Sequence, residues 1–281
     1  MSINSNSKKI PLYKKINFPL VIGGFIVAIF LIMALFPGLI TRFDPDAVDQ
    51  TAMLKSPSIE HLFGTDNYGR DIFTRCVYAT RIDLLIGVFA MLVPCIFGTL
   101  IGLYAGYYGG RLDMIIMRIF DIFMAFPYMV LAIAIVAITG AGLKALFISI
   151  WIVGWKEYAR LIRSEVLVAK NAEYVQAAKV LGYSDNRIMF FTILPNVFSS
   201  ALVYGASDIV MCMMSSAALS YLGLGVQPPT SEWGAIMAGG KNFFAQASWI
   251  STYPGLFLII SGLGFSLVGD GLSDMIRTKK R

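Results

Sequence analysis

Few side chains in this sequence are of kinds that perform chemistry, and those few are scattered. The only histidine, His61, could ligate a metal, but one imidazole without a second ligand makes no site, so a structural role is the other reading. Cys76, Cys95 and Cys212 are far apart, and the last two fall in apolar runs. Neither a disulfide framework nor a metal motif follows, and they read as small apolar filler. Gly239-Gly240-Lys241-Asn242-Phe243 lacks both the spacing of a phosphate loop and its following Ser or Thr. No nucleophile, base and orienter converge, so no catalytic residue, metal ligand or cofactor of its own is assigned to the chain. Two features remain. Asp208 stands within an apolar run, where a charge costs about 3 kcal/mol. Such a carboxylate lines a path, pairs across a subunit interface, or is a buried hydrogen-bonded acid. The second feature is EYVQAAKVLGYSDNRIMFFTILPN, Glu173 to Asn196, a short amphipathic stretch in a chain that is otherwise mostly apolar.

The elements that must hold these features follow from composition. Of 281 residues, 57% are hydrophobic and only 14% are charged, which makes lipid the solvent for most of the chain. A bilayer core needs about 20 apolar residues per helix. Phe18 to Phe36, Leu84 to Tyr108, Ile122 to Leu143 and Phe243 to Gly269 carry no charge; Gly142 to Tyr158, with Lys144 snorkelling, and Val197 to Gly223, with Asp208, are less clean. The expectation is an all-α membrane protein of six transmembrane helices. The first run lacks a small-residue cleavage site and reads as a retained helix rather than a signal peptide. Lys8, Lys9, Lys14 and Lys15, the Lys156 to Arg187 segment, and the Arg277, Lys279, Lys280, Arg281 tail predict that both termini and the Glu173 stretch are cytoplasmic. The +6 net charge thus reports topology and gives no reason to invoke nucleic acid.

The chain divides into a tail over 1–17, a first span over 18–39, an extracytoplasmic segment over 40–83, and a core over 84–281 with five spans and a cytoplasmic loop over 159–195. In the outer segment Thr65 can N-cap an interfacial helix over Asp66 to Thr80, with Ile72, Phe73, Cys76 and Val77 on one face. Gly109 and Gly110 end the second span; Arg111, Asp113, Arg118 and Asp121 come next at pairing distance, and Gly140 to Gly142 make a tight turn. In the Glu173 stretch, Tyr174, Ala177, Ala178 and Leu181 make one stripe, with Glu173, Gln176 and Lys179 elsewhere. Gly182 suits the left-handed stop, Ser184 can cap the next helix, and Pro195 breaks or bends the entry to the fifth span. From pattern alone the helix lies in the headgroups or docks on another protein; its small alanines and narrow stripe favour docking.

The stretch resembles the loop before the last two helices of the permease subunits of ATP-binding-cassette importers. Gln176, Ala177, Ala178, Gly182, Leu194 and Pro195 match its pattern, with Gln176 in place of the usual glutamate. FGTDNYGRDIFTR, GGRLDMIIMRIFDIFMAFP, LSYLGLGVQPPTSEWGAIMAGG and GDGLSDMIR are similar to the second, C-type permease of the dipeptide, oligopeptide and nickel branch. The resemblance implies a type I importer fold in a bacterial inner membrane. It also implies a coupling helix, carried here by Glu173, Tyr174, Gln176, Ala177, Ala178, Lys179 and Gly182, that docks in a separate ATPase. The implied partners are a B-type permease, two ATPases that bind ATP and magnesium, and an extracytoplasmic binding protein. Relatives often place an acid near Ser215 and Ser216, which joins these two to Asp208 as candidates for the path. Peptide is the first expectation for cargo, with nickel, a metal chelate or glutathione as alternatives. An ion-coupled carrier is disfavoured by the sparse intramembrane charge and the missing inverted repeat; a membrane scaffold for a peripheral enzyme is the third class.

Overall fold

The structure is a computed structural model and describes residues 17–279, so Lys8, Lys9, Lys14, Lys15, Lys280 and Arg281 lie outside the described residues. α1 (Phe18–Leu35) starts where Asn17 accepts the Leu20 N–H and donates to the Gly271 carbonyl at 2.5 Å. A short α2 (Pro37–Ile40) follows, and then an irregular segment.

The expected helix over Asp66 to Thr80, capped by Thr65, does not form as such. The Asp66 carboxylate is committed to a turn instead, accepting the backbone N–H groups of Tyr68 (2.8 Å) and Arg70 (3.0 Å) and pairing with the Arg70 guanidinium (2.7 Å). The cap passes to Asp71, which accepts the Thr74 N–H at 2.8 Å and opens α3 (Ile72–Tyr108). Nothing between Thr80 and Leu84 stops that helix, so interfacial segment and second span are one helix of 37 residues and the expected boundary at residue 83 falls inside it. Its expected face holds in part, with Ile72, Cys76 and Val77 fully buried and Phe73 half-buried.

Gly109 ends α3 and α4 (Gly110–Met124) begins at once. The expected uninterrupted span from Ile122 to Leu143 is broken: α4 stops before Pro127, which disfavours helix in the residue ahead of it, and α5 (Tyr128–Thr139) leaves at 87°. Arg118 and Asp121 pair as expected at 3.9 Å, but Asp113 pairs with Arg163 rather than with Arg111. Across the Gly140–Gly142 turn, α6 (Leu143–Ala169) runs well past the expected end at Tyr158, so residues 159–169 of the expected loop are helical.

Three glycines set the closest helix pair. Gly98, Gly102 and Gly106 recur every fourth residue on α3, where a Cβ would strike the Trp155 carbonyl, the Ala159 carbonyl and the Val166 side chain of α6. Small residues at this spacing let two backbones touch inside a membrane. α7 (Glu173–Val180) follows, then α8 (Asp185–Arg187), a π-helical turn (Ile188–Ile193), α9 (Leu194–Tyr221), α10 (Trp233–Gly240) and α11 (Trp249–Lys279). Pro195 does not break the chain's path: the widened π turn absorbs its missing N–H, and Asp185–Tyr221 runs as one rod of 37 residues.

Among the described residues four helices are long and apolar enough to cross a bilayer, and a fifth span results if α4 and α5 count as one. This is fewer than the expected six. The difference lies in α6, whose second half carries Lys156, Glu157, Arg160, Arg163 and Glu165 and dilutes its apolar first half.

Candidate functional site

α7 is a helix of eight residues with a sharply defined end. The Tyr183 N–H bonds the Ala178 carbonyl (3.2 Å) and the Gly182 N–H bonds the Lys179 carbonyl (2.9 Å), a Schellman closure with Gly182 at φ 76°. The expected stripe is split between two faces. Ala178 turns inward with Val175, packing among Ile162, Val166, Ile188 and Met189, so it is not available to a partner. Tyr174 (44% exposed), Ala177, Val180 (88%) and Leu181 (70%) face outward, an apolar face on the molecule's end with nothing over it among the described residues. Glu173 is exposed, the Gln176 amide donates to the Lys170 carbonyl (3.2 Å), and the Lys179 ammonium sits 5.8 Å above the Tyr107 ring. Ser184 precedes α8 as expected but makes no side-chain cap bond.

Asp208 is half-buried on α9 and accepts the Tyr158 hydroxyl of α6 at 2.8 Å. Tyr158 is fully buried and packs edge-on against Tyr204, with centroids 4.9 Å apart. Ser215, one face-repeat further along α9, is half-buried, whereas Ser216 is fully buried.

Several residues that tie the site together were not singled out by the sequence. Arg163 holds Asp113 through two bonds of 2.5 and 2.6 Å; charges of opposite sign in apolar surroundings were the available signal. Tyr107 donates to Asp185 at 2.6 Å, a contact across 78 residues for which no local pattern exists. At the opposite end of α3, Asp83 accepts the Trp233 N–H (3.1 Å) and Glu232 accepts the Ala235 N–H (2.7 Å), two fully buried carboxyls clamping α10. Burial pushes the Glu232 carboxyl above its ordinary value. A cavity of about 770 Å³ opens beside α10, lined by Asp46, Tyr68, Arg75, Gln227 and Phe243 among others. His61 is no isolated imidazole: it is buried, stacks on Phe43 at 5.1 Å and lies 3.0 Å from Asp71, the cap of α3. All three cysteines are free and buried.

Residues 98–281 match the family model described as the binding-protein-dependent transport system inner membrane component. The chain is 42% identical over 261 residues to the dipeptide transport system permease protein DppC of Alkalihalophilus pseudofirmus, covering 93% of this chain and 86% of that one. It is 39% identical to the glutathione transport system permease protein GsiD of Pectobacterium atrosepticum, covering 92% and 86%. A further relative, at 37% and covering 92% and 87%, is the probable D,D-dipeptide transport system permease protein DdpC of Escherichia coli. Among solved structures, an inward-facing form of the MetNI methionine ABC transporter superposes with a TM-score of 0.54 at 19% identity, over 71% of this chain and 95% of that one, a likeness of fold alone.

Proposed function

This chain belongs to the inner membrane components of binding-protein-dependent transport systems and is a non-enzymatic permease subunit of an ATP-driven importer, from which we propose that it forms the path for small peptides and takes its driving force through α7. The observation that carries the reading is the outward apolar face of α7, fixed in place by the Schellman closure and by Val175 and Ala178 beneath it. A helix meant for headgroups would present bulky aromatic and leucine side chains over a long face. This one presents Tyr174, Ala177, Val180 and Leu181 over two turns, a shape suited to a groove in a partner ATPase.

The proposed assembly pairs this subunit with a B-type permease, two ATPases holding ATP and magnesium, and a binding protein that delivers cargo from outside. α6 counts as a span alongside the bent α4–α5 pair, which gives six, with both termini and 159–195 inside and 40–83 outside. Nucleotide-driven closure of the ATPases moves α7, and the permease pair rocks between its two arrangements. Two of the relatives are named for dipeptides, which favours peptide cargo; glutathione, itself a small peptide, is next, and nickel or a metal chelate is the alternative.

The test is uptake by the complete importer in proteoliposomes. ATP-dependent accumulation of labelled dipeptide supports the reading, whereas uptake driven by a proton or sodium gradient without ATP would make the chain a secondary carrier. Gly182→Val forces a β-branched side chain to φ 76°, at roughly 1–2 kcal/mol of local strain, and so misplaces the end of α7. Its expected outcome is normal membrane insertion with hydrolysis uncoupled from transport; normal transport would contradict the docking role.

A further inference from the structure

The coupling segment is fastened to α3 from three sides, all at the same two residues. Ahead of α7, the Lys170 ammonium donates to the Gly106 carbonyl at 2.9 Å. Within α7, Lys179 lies over the Tyr107 ring at 5.8 Å. Beyond α7, the Asp185 carboxylate accepts the Tyr107 hydroxyl at 2.6 Å. A loop held only by its own ends could swing without moving anything else; this one cannot swing without pulling on Gly106 and Tyr107. Those two residues close a helix of 37 residues, about 55 Å long at 1.5 Å per residue. The helix is also locked along its last turns to α6, the element that runs into α7, through Gly98, Gly102 and Gly106.

At its far end the same helix holds the outer elements. The Arg75 guanidinium donates to the Pro229 carbonyl (3.3 Å), the Cys76 carbonyl accepts the Trp233 indole N–H (3.0 Å), and Asp83 accepts the Trp233 backbone N–H (3.1 Å). Arg75 and Pro229 line the outer cavity, and α10 forms one wall of it through Ala235 and Ile236. One helix therefore has the docking segment on one end and the outer cavity wall on the other.

We infer that Tyr107 is the positioning residue that makes α3 follow the docking segment, so that a displacement received at α7 reaches the outer cavity through α3. The inference rests on the docking reading of α7. Tyr107 touches no cargo and no nucleotide; its hydroxyl supplies the bond to the far side of α7, and its ring supplies the seat for Lys179. Removing the hydroxyl frees the Asp185 side of the segment while leaving the ring and the glycine packing in place.

The test uses the complete reconstituted importer and reads cargo transported per ATP hydrolysed, alongside recovery of the ATPase with the permeases. Tyr107→Phe and Asp185→Ala are each expected to lower that ratio by about two- to tenfold, the range open to one exposed hydrogen bond of ordinary net strength. The double variant should be no worse than either single one, because both remove the same bond. An unchanged ratio in the single variants, losses that add in the double variant, or loss of the ATPase from Tyr107→Phe would each overturn the inference. Failure of the docking reading shows separately, as a wild-type complex that recovers no ATPase or moves no cargo with ATP, and it would take this inference with it.

Discussion

Asp208 and Tyr158 sit 50 residues apart in sequence and share one hydrogen bond of 2.8 Å, half-buried on the carboxylate side and fully buried on the phenol side. The aspartate was visible as a charge in an apolar run, and its partner was not, since nothing local ties the one tyrosine of α6 to a residue 50 positions further on. The bond separates two roles by experiment. Asp208→Asn keeps an acceptor for the hydroxyl, so thermal stability in detergent should change little. Transport rate or cargo range should change if the carboxylate faces the path; unchanged rate and range would make it a structural acid. Tyr158→Phe should instead cost about 1–3 kcal/mol and lower the unfolding temperature, because it strips the partner from a half-buried carboxylate.

At the scale of elements, the contact between α3 and α6 is where one added side chain should matter most. A side chain at Gly102 runs into the Ala159 carbonyl and the Arg163 N–H, the latter 3.0 Å from where a Cβ would sit, and backbone cannot retract as a side-chain tip can. Gly102→Val should therefore force the helices apart, with overpacking of this kind costing about 1–3 kcal/mol or more, measured as a lowered unfolding midpoint. Gly239→Ala meets nothing within 4 Å and is the control expected to behave as wild type. Apolar runs made most of these helices legible in the sequence, because lipid permits little else. Their ends were less legible for specific reasons. Asp66 looked like a first-turn acid but spends its carboxylate on the Tyr68 and Arg70 turn, while Pro127 splits a run that hydropathy alone reads as continuous. On α7 the periodicity located the helix, but Ala178 left the expected docking stripe and turned inward with Val175, a choice set by Ile188 and Met189 arriving from the far side of the loop.

For the whole molecule the open choice is whether α6 crosses the bilayer, since its length of 27 residues suffices and its charged second half argues the other way. Those charges are partly answered within the fold: Arg163 is paired with Asp113, Lys156 with Glu157 at 3.1 Å, and Glu165 accepts the Ser200 hydroxyl at 3.1 Å. They also cluster toward the α7 end, where a span would leave the hydrocarbon, so a crossing built on Leu143 to Trp155, about 20 Å of helix, reaches the full core width only with Lys144 and the first of these charges snorkelling to the two interfaces. Three exposed positions distinguish the arrangements: Ala141 ahead of α6, Val180 at the end of α7 and Asn242 beyond α10. The native cysteines are buried, so a single introduced cysteine at each position can be probed with a membrane-impermeant thiol reagent against a low background. With six spans, Ala141→Cys and Asn242→Cys react only from outside and Val180→Cys only from inside. If α6 stays on one side, Ala141→Cys and Val180→Cys react from the same side, and the outward face of α7, proposed to dock the ATPase, no longer lies across the membrane from the α5–α6 turn.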